Sequence, residues 1–329
     1  MSRTRIPDEV LSAAHERARA REARDWAEAD RLRGVIEAAG WKIVDRGTDF
    51  ALSPAAPPDT EEGGSLRFGA SGNVPSRLDE PETGLATVIL VATDHPTDLA
   101  RALTALRAHA PSGTSVVIVG DAPSEEQGRE LDGLEEIPAD EIDLPIEVVR
   151  TSERLGQGAA LNIGLRRSGA GVVVVMDTSV EPRGDVVTPL VRALDDPSVA
   201  VAGGWGLRSA DLRHFEEAGQ DDVDAIGGYL QAFRRRDAIE RGPFDERFRF
   251  YRNLDIWWSL VLRDEGEGGA PRRAVIVDVP AERHEHRGWT SVPEDERDRQ
   301  SKRNFYRIID RFGSRRDLLV GAETEATST

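Results

Sequence analysis

The chain has 329 residues and a net charge of −17 at neutral pH, with 39% hydrophobic and 31% charged residues. That length suits one large domain or two ordinary ones with a sizeable core. The acidic excess argues against broad binding to nucleic acid or anionic membrane, the lack of cysteine excludes disulfides and thiolate metal sites, and no run approaches the roughly 20 apolar residues of a membrane span.

The opening MSRTRIPDEV lacks the apolar stretch of a secretory signal, so the cytoplasm is the expected compartment. Residues 1–52 read as a helical hairpin module with a small β-hairpin. Residues 8–39 are rich in Ala, Arg and Glu. Asp25 followed by Glu28 has capping-box-like spacing, so a second helix begins there. Leu32, Ile36 and Ala39 give it an apolar stripe, and Gly40 is placed to end it. Trp41–Val44 and Phe50–Leu52 flank a polar turn and predict the hairpin. Residues 53–84, rich in Pro, Gly, Ser and acids, predict a disordered linker.

From Leu85 the texture changes. Apolar strands over Thr87–Ala92, Ser115–Val119, Ile146–Val149 and Gly171–Met176 alternate with helical segments over Thr97–His109, Gly158–Arg167 and Val186–Leu194, with an acidic excursion at 121–144. Continuous apolar strands separated by helices predict an α/β fold with a mainly parallel sheet covered on both faces. Ligands of such sheets sit at the carboxyl ends of the strands. Residues 292–329 predict a C-terminal helix and tail, with Phe305, Ile308, Ile309 and Phe312 on one stripe.

The fourth strand delivers Asp177 to that carboxyl edge. A carboxylate there suits either a divalent cation that neutralises a diphosphate or a simple cap on the next turn. Further on, Leu254, Trp257, Trp258, Val261 and Leu262 form one helical face, read as core, with Asp255 and Ser259 on another. Asp255 falls in the first turn, where the helix dipole lowers a carboxyl pKa. His284 and His286 are two apart and on an extended segment project to one side, with Arg283 and Arg287 as diphosphate candidates beside them. Gly156 and Gly158 open a helix where glycine either lets backbone N–H groups approach a phosphate or serves simple turn geometry. Arg234-Arg235-Arg236 reads as an exposed charge run.

Five segments, taken in order, resemble family 2 glycosyltransferases of the GT-A fold: ATVILVATDHPTDLARALTAL, SVVIVGDAPSEE, RLGQGAALNIGLRRSGAGVVVVMDTSVEPRGD, the stretch GGYLQAF to VLRDEG, and RHEHRGW. They place a GT-A domain at residues 85–291. The resemblance implies transfer of a sugar from a nucleoside diphosphate sugar to an acceptor hydroxyl, with inversion, assisted by Mg²⁺ or Mn²⁺. It implies donor contacts from Thr93, Asp121, Gly156, Gly158, Asn162 and Asp177, metal ligands Asp177, His286 and His284, and Asp255 as catalytic base. Tyr251 and Arg252 fall where the acceptor pocket is expected. Three acids of the family pattern are replaced: Ser179 ends the DxD motif, Gly120 precedes Asp121, and Asn253 stands where an acid opens the helix. The alternative is therefore a catalytically inactive relative that binds nucleotide, glycan or protein.

Residues 10–52 resemble the C-terminal tail of cysteinyl-tRNA synthetases through AR-x-x-x-D-W-x-x-A-D-x-x-R. That tail belongs to the anticodon-binding region, so the resemblance implies RNA binding as the sharper alternative; read from its residues alone, the helical hairpin suits docking or self-association, so a homo-oligomer is open.

Overall fold

A computed structural model describes residues 6–47, 49–92, 94–135, 144–219, 222–266 and 269–321. The chain divides into two units, Met1–Ala70 and Ser71–Thr329.

The first unit holds helices α1 (Asp8–Glu22) and α2 (Trp26–Ala38) and strands β1 (Trp41–Arg46), β2 (Asp49–Pro54), β3 (Thr60–Glu62) and β4 (Ser65–Phe68). The Asp25 side chain accepts a hydrogen bond from the Glu28 N–H at 3.1 Å, which caps α2. Gly40 leaves the helix at φ +77°, a conformation glycine adopts without strain. Val10, Ala14, Leu32, Ile36, Trp41 and Ile43 close a small core. The buried Arg17 reaches Asp45 at 2.7 Å, and β1 and β2 pair antiparallel with Ile43 opposite Leu52.

The expected disordered linker at 53–84 is ordered. Thr60–Glu62 and Ser65–Phe68 form an antiparallel hairpin. Residues beyond 70 belong to the second unit through backbone bonds, Arg77 N–H to Arg166 O at 2.7 Å and Thr83 N–H to Gly169 O at 2.8 Å. Arginine side chains hold the same stretch: Arg166 bonds Val74 O, Arg167 bonds Pro75 O, and Arg235 bonds the carbonyls of Arg77 and Glu80. A segment poor in apolar residues is ordered here by guanidinium–carbonyl bonds, which hydropathy does not register.

The second unit contains β5 (Ala86–Ala92), α3 (Pro96–His109), β6 (Thr114–Gly120), α4 (Glu125–Glu135), β7 (Ile146–Thr151), α5 (Gln157–Arg167), β8 (Val172–Met176), β9 (Val180–Pro182), α6 (Val187–Ala193) and β10 (Val199–Gly203). It continues with β11 (Gly206–Ser209), β12 (Phe215–Ala218), β13 (Asp222–Val223), β14 (Ala225–Ile226), β15 (Leu230–Arg234), α7 (Arg235–Arg241), α8 (Leu254–Arg263), β16 (Arg273–Ile276), β17 (Ala281–Arg283), α9 (Arg287–Thr290) and α10 (Glu294–Phe312). Within the unit the main sheet runs β13-β16-β10-β15-β8-β5-β6-β7. Strands β8, β5, β6 and β7 are parallel, as are β10 and β16, while β15 runs antiparallel to both neighbours. Of the acidic excursion, 136–143 lie outside the described residues.

Alternation on β8 explains why the strand is apolar throughout. Val173 and Val175 enter one core, and Val172, Val174 and Met176 enter the core on the other face. Helix α8 packs into the first. Trp258 is fully buried, with its ring 5.4 Å from Phe233 and 4.1 Å from Phe244. Both tryptophans are core, as their helical spacing predicts. The arginine run is not exposed as expected: Arg234 and Arg235 are buried and only Arg236 faces solvent. Arg234 bonds the carbonyls of Leu194, Asp196 and Val199 and pairs with the buried Asp237 at 3.2 Å, so its charge is met by a carboxylate and by backbone dipoles. No helix among the described residues is long and apolar enough to cross a membrane.

Candidate functional site

The parallel strands β5, β6 and β8 end together, and a cleft of about 240 Å³ opens at their carboxyl edge. Asp177 follows β8 directly. One carboxylate oxygen accepts the Ser179 N–H at 2.8 Å and the Ser179 hydroxyl at 2.5 Å. The other lies 3.1 Å from His286 Nε2. Burial pushes the Asp177 pKa up, but the His286 and Ser179 bonds prevail and hold it below the usual carboxylate range. Burial likewise disfavours the His286 imidazolium, and Asp177 more than offsets this, raising His286 above its ordinary value. The His286 ring stacks on Tyr251, centroids 4.3 Å apart and 21° between planes. Burial pushes the Tyr251 phenol up.

A second cleft of about 590 Å³ shares Asp177, Gly228, Tyr251 and His286 with the first. Asp255 lines it, together with Arg252, Tyr229 and Phe305. One Asp255 oxygen accepts the Gly228 N–H at 2.8 Å. The dipole of α8 was expected to lower this carboxyl; the opposite holds. Burial dominates, and the backbone N–H bonds from Gly228 and Ile256 only partly counter it, so the Asp255 pKa is raised. Asn253 precedes α8 with φ +69°, a left-handed conformation that asparagine tolerates better than most residues.

Other expected site residues are placed differently. Asp121 is buried at the end of β6, and its carboxylate already takes three donors: Leu155 N–H at 2.7 Å, Gly156 N–H at 2.9 Å and the Thr151 hydroxyl at 3.1 Å. It lines the smaller cleft, but as the anchor of the 154–156 turn. The start of α5 is not an open phosphate cradle. Gln157 N–H bonds Arg249 O and Gly158 N–H bonds Phe248 O, so the first amides are spent inside the protein. Gly156 lines the cleft and is required by backbone geometry, with φ +99° and the Arg249 backbone where a Cβ would lie, 2.6 Å from its Cα. Gly158 is needed for packing, since a Cβ there would meet Asp245 O at 2.6 Å. Asn162 is buried, and its amide is committed to Phe244 and Glu246 at 2.8 to 2.9 Å. Neither Gly158 nor Asn162 lines either cleft. Thr93 lies outside the described residues.

The two histidines also part. Strand β17 ends at Arg283, so the alternation that would turn both rings to one side does not reach residue 286. His286 meets Asp177, whereas His284 Nε2 lies 2.7 Å from Glu181. Glu181, Glu282 and His284 bring ligand atoms within 4.8 Å of one another. Arg183 pairs with both glutamates at 2.6 Å, so a cation there competes with a guanidinium already in place. Arg283, expected near diphosphate, lies over the rings of Trp205 and Tyr229 and pairs with Glu217.

The smaller cleft also holds groups that pattern reading passed over: Asp94, Arg154 and Arg249. Arg154 reaches Asp94 at 2.9 Å, and Arg249 donates to Arg154 O at 2.7 Å. Arg287 closes one side, bonded to the Thr97 hydroxyl at 3.0 Å. Arg154 and Arg249 sit 95 residues apart on separate loops, and no local signal pairs them. The arrangement offers an oxygen–nitrogen donor pair, flanking guanidinium groups for an anionic ligand, and a partly buried carboxyl across a shared wall.

A profile of the family described as "Glycosyl transferase family 2" matches residues 87–257. Among solved structures, that of GalNAc-T7 with UDP, GalNAc and Mn²⁺ is similar at 15% identity, with a TM-score of 0.56, over 70% of this chain and 48% of that one. The mannosyltransferase PcManGT from Pyrobaculum calidifontis, in complex with GDP-Man and Mn²⁺, is similar at 20% identity, with a TM-score of 0.50, over 75% of this chain and 71% of that one. At these identities the likeness is one of fold, and it is the GT-A glycosyltransferase fold that the sequence segments imply. A cysteine–tRNA ligase of Opitutus terrae is 46% identical over 50 residues, which make up 15% of this chain and 11% of that protein. The chain thus spans about a tenth of the curated relatives it matches and about half of the GalNAc-T7 chain.

Proposed function

This chain belongs to glycosyl transferase family 2, and we propose that it moves a sugar from a nucleoside diphosphate sugar to an acceptor hydroxyl with inversion, assisted by a divalent cation. The observation that carries the reading is the Asp177–His286 pair at the carboxyl end of β8, on the wall shared with the cleft that holds Asp255. Oxygen and imidazole nitrogen donors suit Mn²⁺ or Mg²⁺, and Ser179 steadies the carboxylate that the missing second acid would have joined. Asp177 and His286 would hold such a cation, which would supply positive charge beside a diphosphate leaving group.

The protein's own groups do the rest. Arg154, Arg249 and Arg287 put guanidinium N–H groups along the smaller cleft, where diphosphate oxygens are recognised by forked donors. Asp121 holds the turn that carries Arg154 and Gly156. Asp255 takes the proton of the acceptor hydroxyl as that oxygen attacks the sugar from the larger cleft. Burial suits it to this work by raising its proton affinity toward neutral pH.

The competing reading, a binding protein without turnover, is favoured by one contact. Ser179 satisfies Asp177 at 2.5 Å and lowers the charge available to a cation. Release of UDP or GDP from sugar nucleotides supplied with Mn²⁺ decides between them. The transferase reading expects slow release by the wild-type chain and none by Asp177→Ala; binding without release by folded wild type contradicts it.

A further inference from the structure

Helix α10 lies beyond the family-matched residues, yet it meets the site at three points. Phe305 lines the larger cleft with Asp255. The Ser301 carbonyl accepts the Asn253 amide at 3.2 Å, which ties down the left-handed residue just before α8. Asn304 is fully buried, and its amide nitrogen donates to the carbonyls of Phe250 and Arg252 at 2.9 Å each. Those two carbonyls flank Tyr251, the residue whose ring stacks on His286.

We infer that α10 is a working part of the cleft and that Asn304 is a positioning residue acting through Tyr251 on His286. A primary amide carries two N–H groups on one planar nitrogen and can clamp two carbonyls at once. The Phe250 carbonyl lies in the peptide plane that enters Tyr251 and the Arg252 carbonyl in the plane that leaves Arg252, so the clamp holds the two-residue segment at both ends. Between them the Tyr251 carbonyl accepts the Leu254 N–H at 3.1 Å, and together these bonds set where the Tyr251 Cα–Cβ bond points. With that bond placed, Tyr251 leaves the His286 ring only by a rotamer change about Cα–Cβ or by breaking one of these backbone bonds. His286 in turn is held between the Tyr251 face and the Asp177 carboxylate. Asn253 adds a second tether to the same helix, which gives the asparagine at this position a task that an acidic side chain, having no N–H, does not perform. The role of His286 toward a donor rests on the transferase reading above; the clamp itself can be measured without any nucleotide.

The test is NMR of the full chain carrying isotope-labelled histidine. A stacked phenol shifts the His286 ring protons upfield, and loss of those signals' wild-type positions in Tyr251→Leu identifies them. Folded Asn304→Ser is expected to move the same signals toward their Tyr251→Leu positions, and the double variant to move them no further. Asn253→Gly keeps the positive φ while removing the second tether, so it moves the same signals in the same direction and reports even where Asn304→Ser does not fold. His286 signals that stay in place in folded Asn304→Ser, or in Asn253→Gly should the serine variant not fold, overturn the inference. A second readout is Mn²⁺-dependent affinity for UDP and for GDP. About a tenfold or greater loss is expected in Asn304→Ser, with no added loss in the Tyr251→Leu background. A wild type that binds neither nucleotide counts against the donor reading, and the ring signals still judge the clamp.

Discussion

Asp121→Asn separates a structural from a ligand-binding role at the smaller cleft. The carboxylate accepts the Leu155 and Gly156 N–H groups through different oxygens. An amide of the same shape presents one oxygen and one NH₂, so one backbone donor faces another donor. The site is 2% exposed, which leaves little room for water to intervene. Loss of a hydrogen bond to a charged acceptor costs roughly 1.5–3 kcal/mol, and an unpaired buried N–H costs about 1–3 kcal/mol. Allowing for relaxation, the substitution destabilises by about 3 kcal/mol. With a urea slope of about 3 kcal/mol per molar, the midpoint falls by about 1 M. Amide exchange at Leu155 and Gly156 accelerates together with it. A loss below about 1 kcal/mol, with both amides still protected, refutes the reasoning. If Asp121 instead serves mainly to meet a nucleobase, nucleotide affinity drops while the urea midpoint holds.

Gly156→Ala forces a Cβ into the Arg249 backbone at a φ of +99° that L residues rarely adopt, so a loss of about 3 kcal/mol or more is expected in urea unfolding; near-wild-type stability contradicts that placement. Asp255→Asn is expected to cut turnover by roughly 10²–10⁴-fold while leaving nucleotide affinity within about twofold, because the base acts only on the acceptor; equal loss in both assigns the residue to binding instead. In the wild type, turnover climbs as pH rises through the raised Asp255 value, since only the ionised carboxylate accepts a proton. The Asp177–His286 pair shapes stability against pH. Asp177, held below its ordinary 3.8, contributes stability present above that value and lost as pH falls through its lowered pKa. His286, held above its ordinary 6.5, contributes stability present below that value and lost as pH rises through its raised pKa. The difference in Tm between wild type and His286→Gln is therefore greatest between pH 3.8 and 6.5 and shrinks on the alkaline side; a constant difference from acid to alkaline pH sinks the pairing.

The parallel strands were legible because burial on both faces demands continuous apolar runs, and the delivery of Asp177 to the carboxyl edge follows from the end of one such run. The core face of α8 was legible from spacing alone, and so was the capped start of α2. What hydropathy does not encode is the work of arginine. Arg234 and Arg235 look like surface charge and are buried staples, and Arg235 with Arg166 and Arg167 orders a stretch that reads as linker. The helix-opening glycines suggested a phosphate cradle, but residues 248 and 249, far along the chain, fill it with carbonyls. The parting of His284 and His286 depends on where β17 stops, a boundary of one or two residues that periodicity does not resolve.

Calorimetric titration of UDP- and GDP-sugars against the full chain, with and without Mn²⁺, bears most directly on the proposed metal-assisted donor site. Binding of one donor that tightens with Mn²⁺, and is lost in folded Asp177→Ala, is the expected result. Binding of neither donor, or binding indifferent to both Mn²⁺ and Asp177, contradicts it.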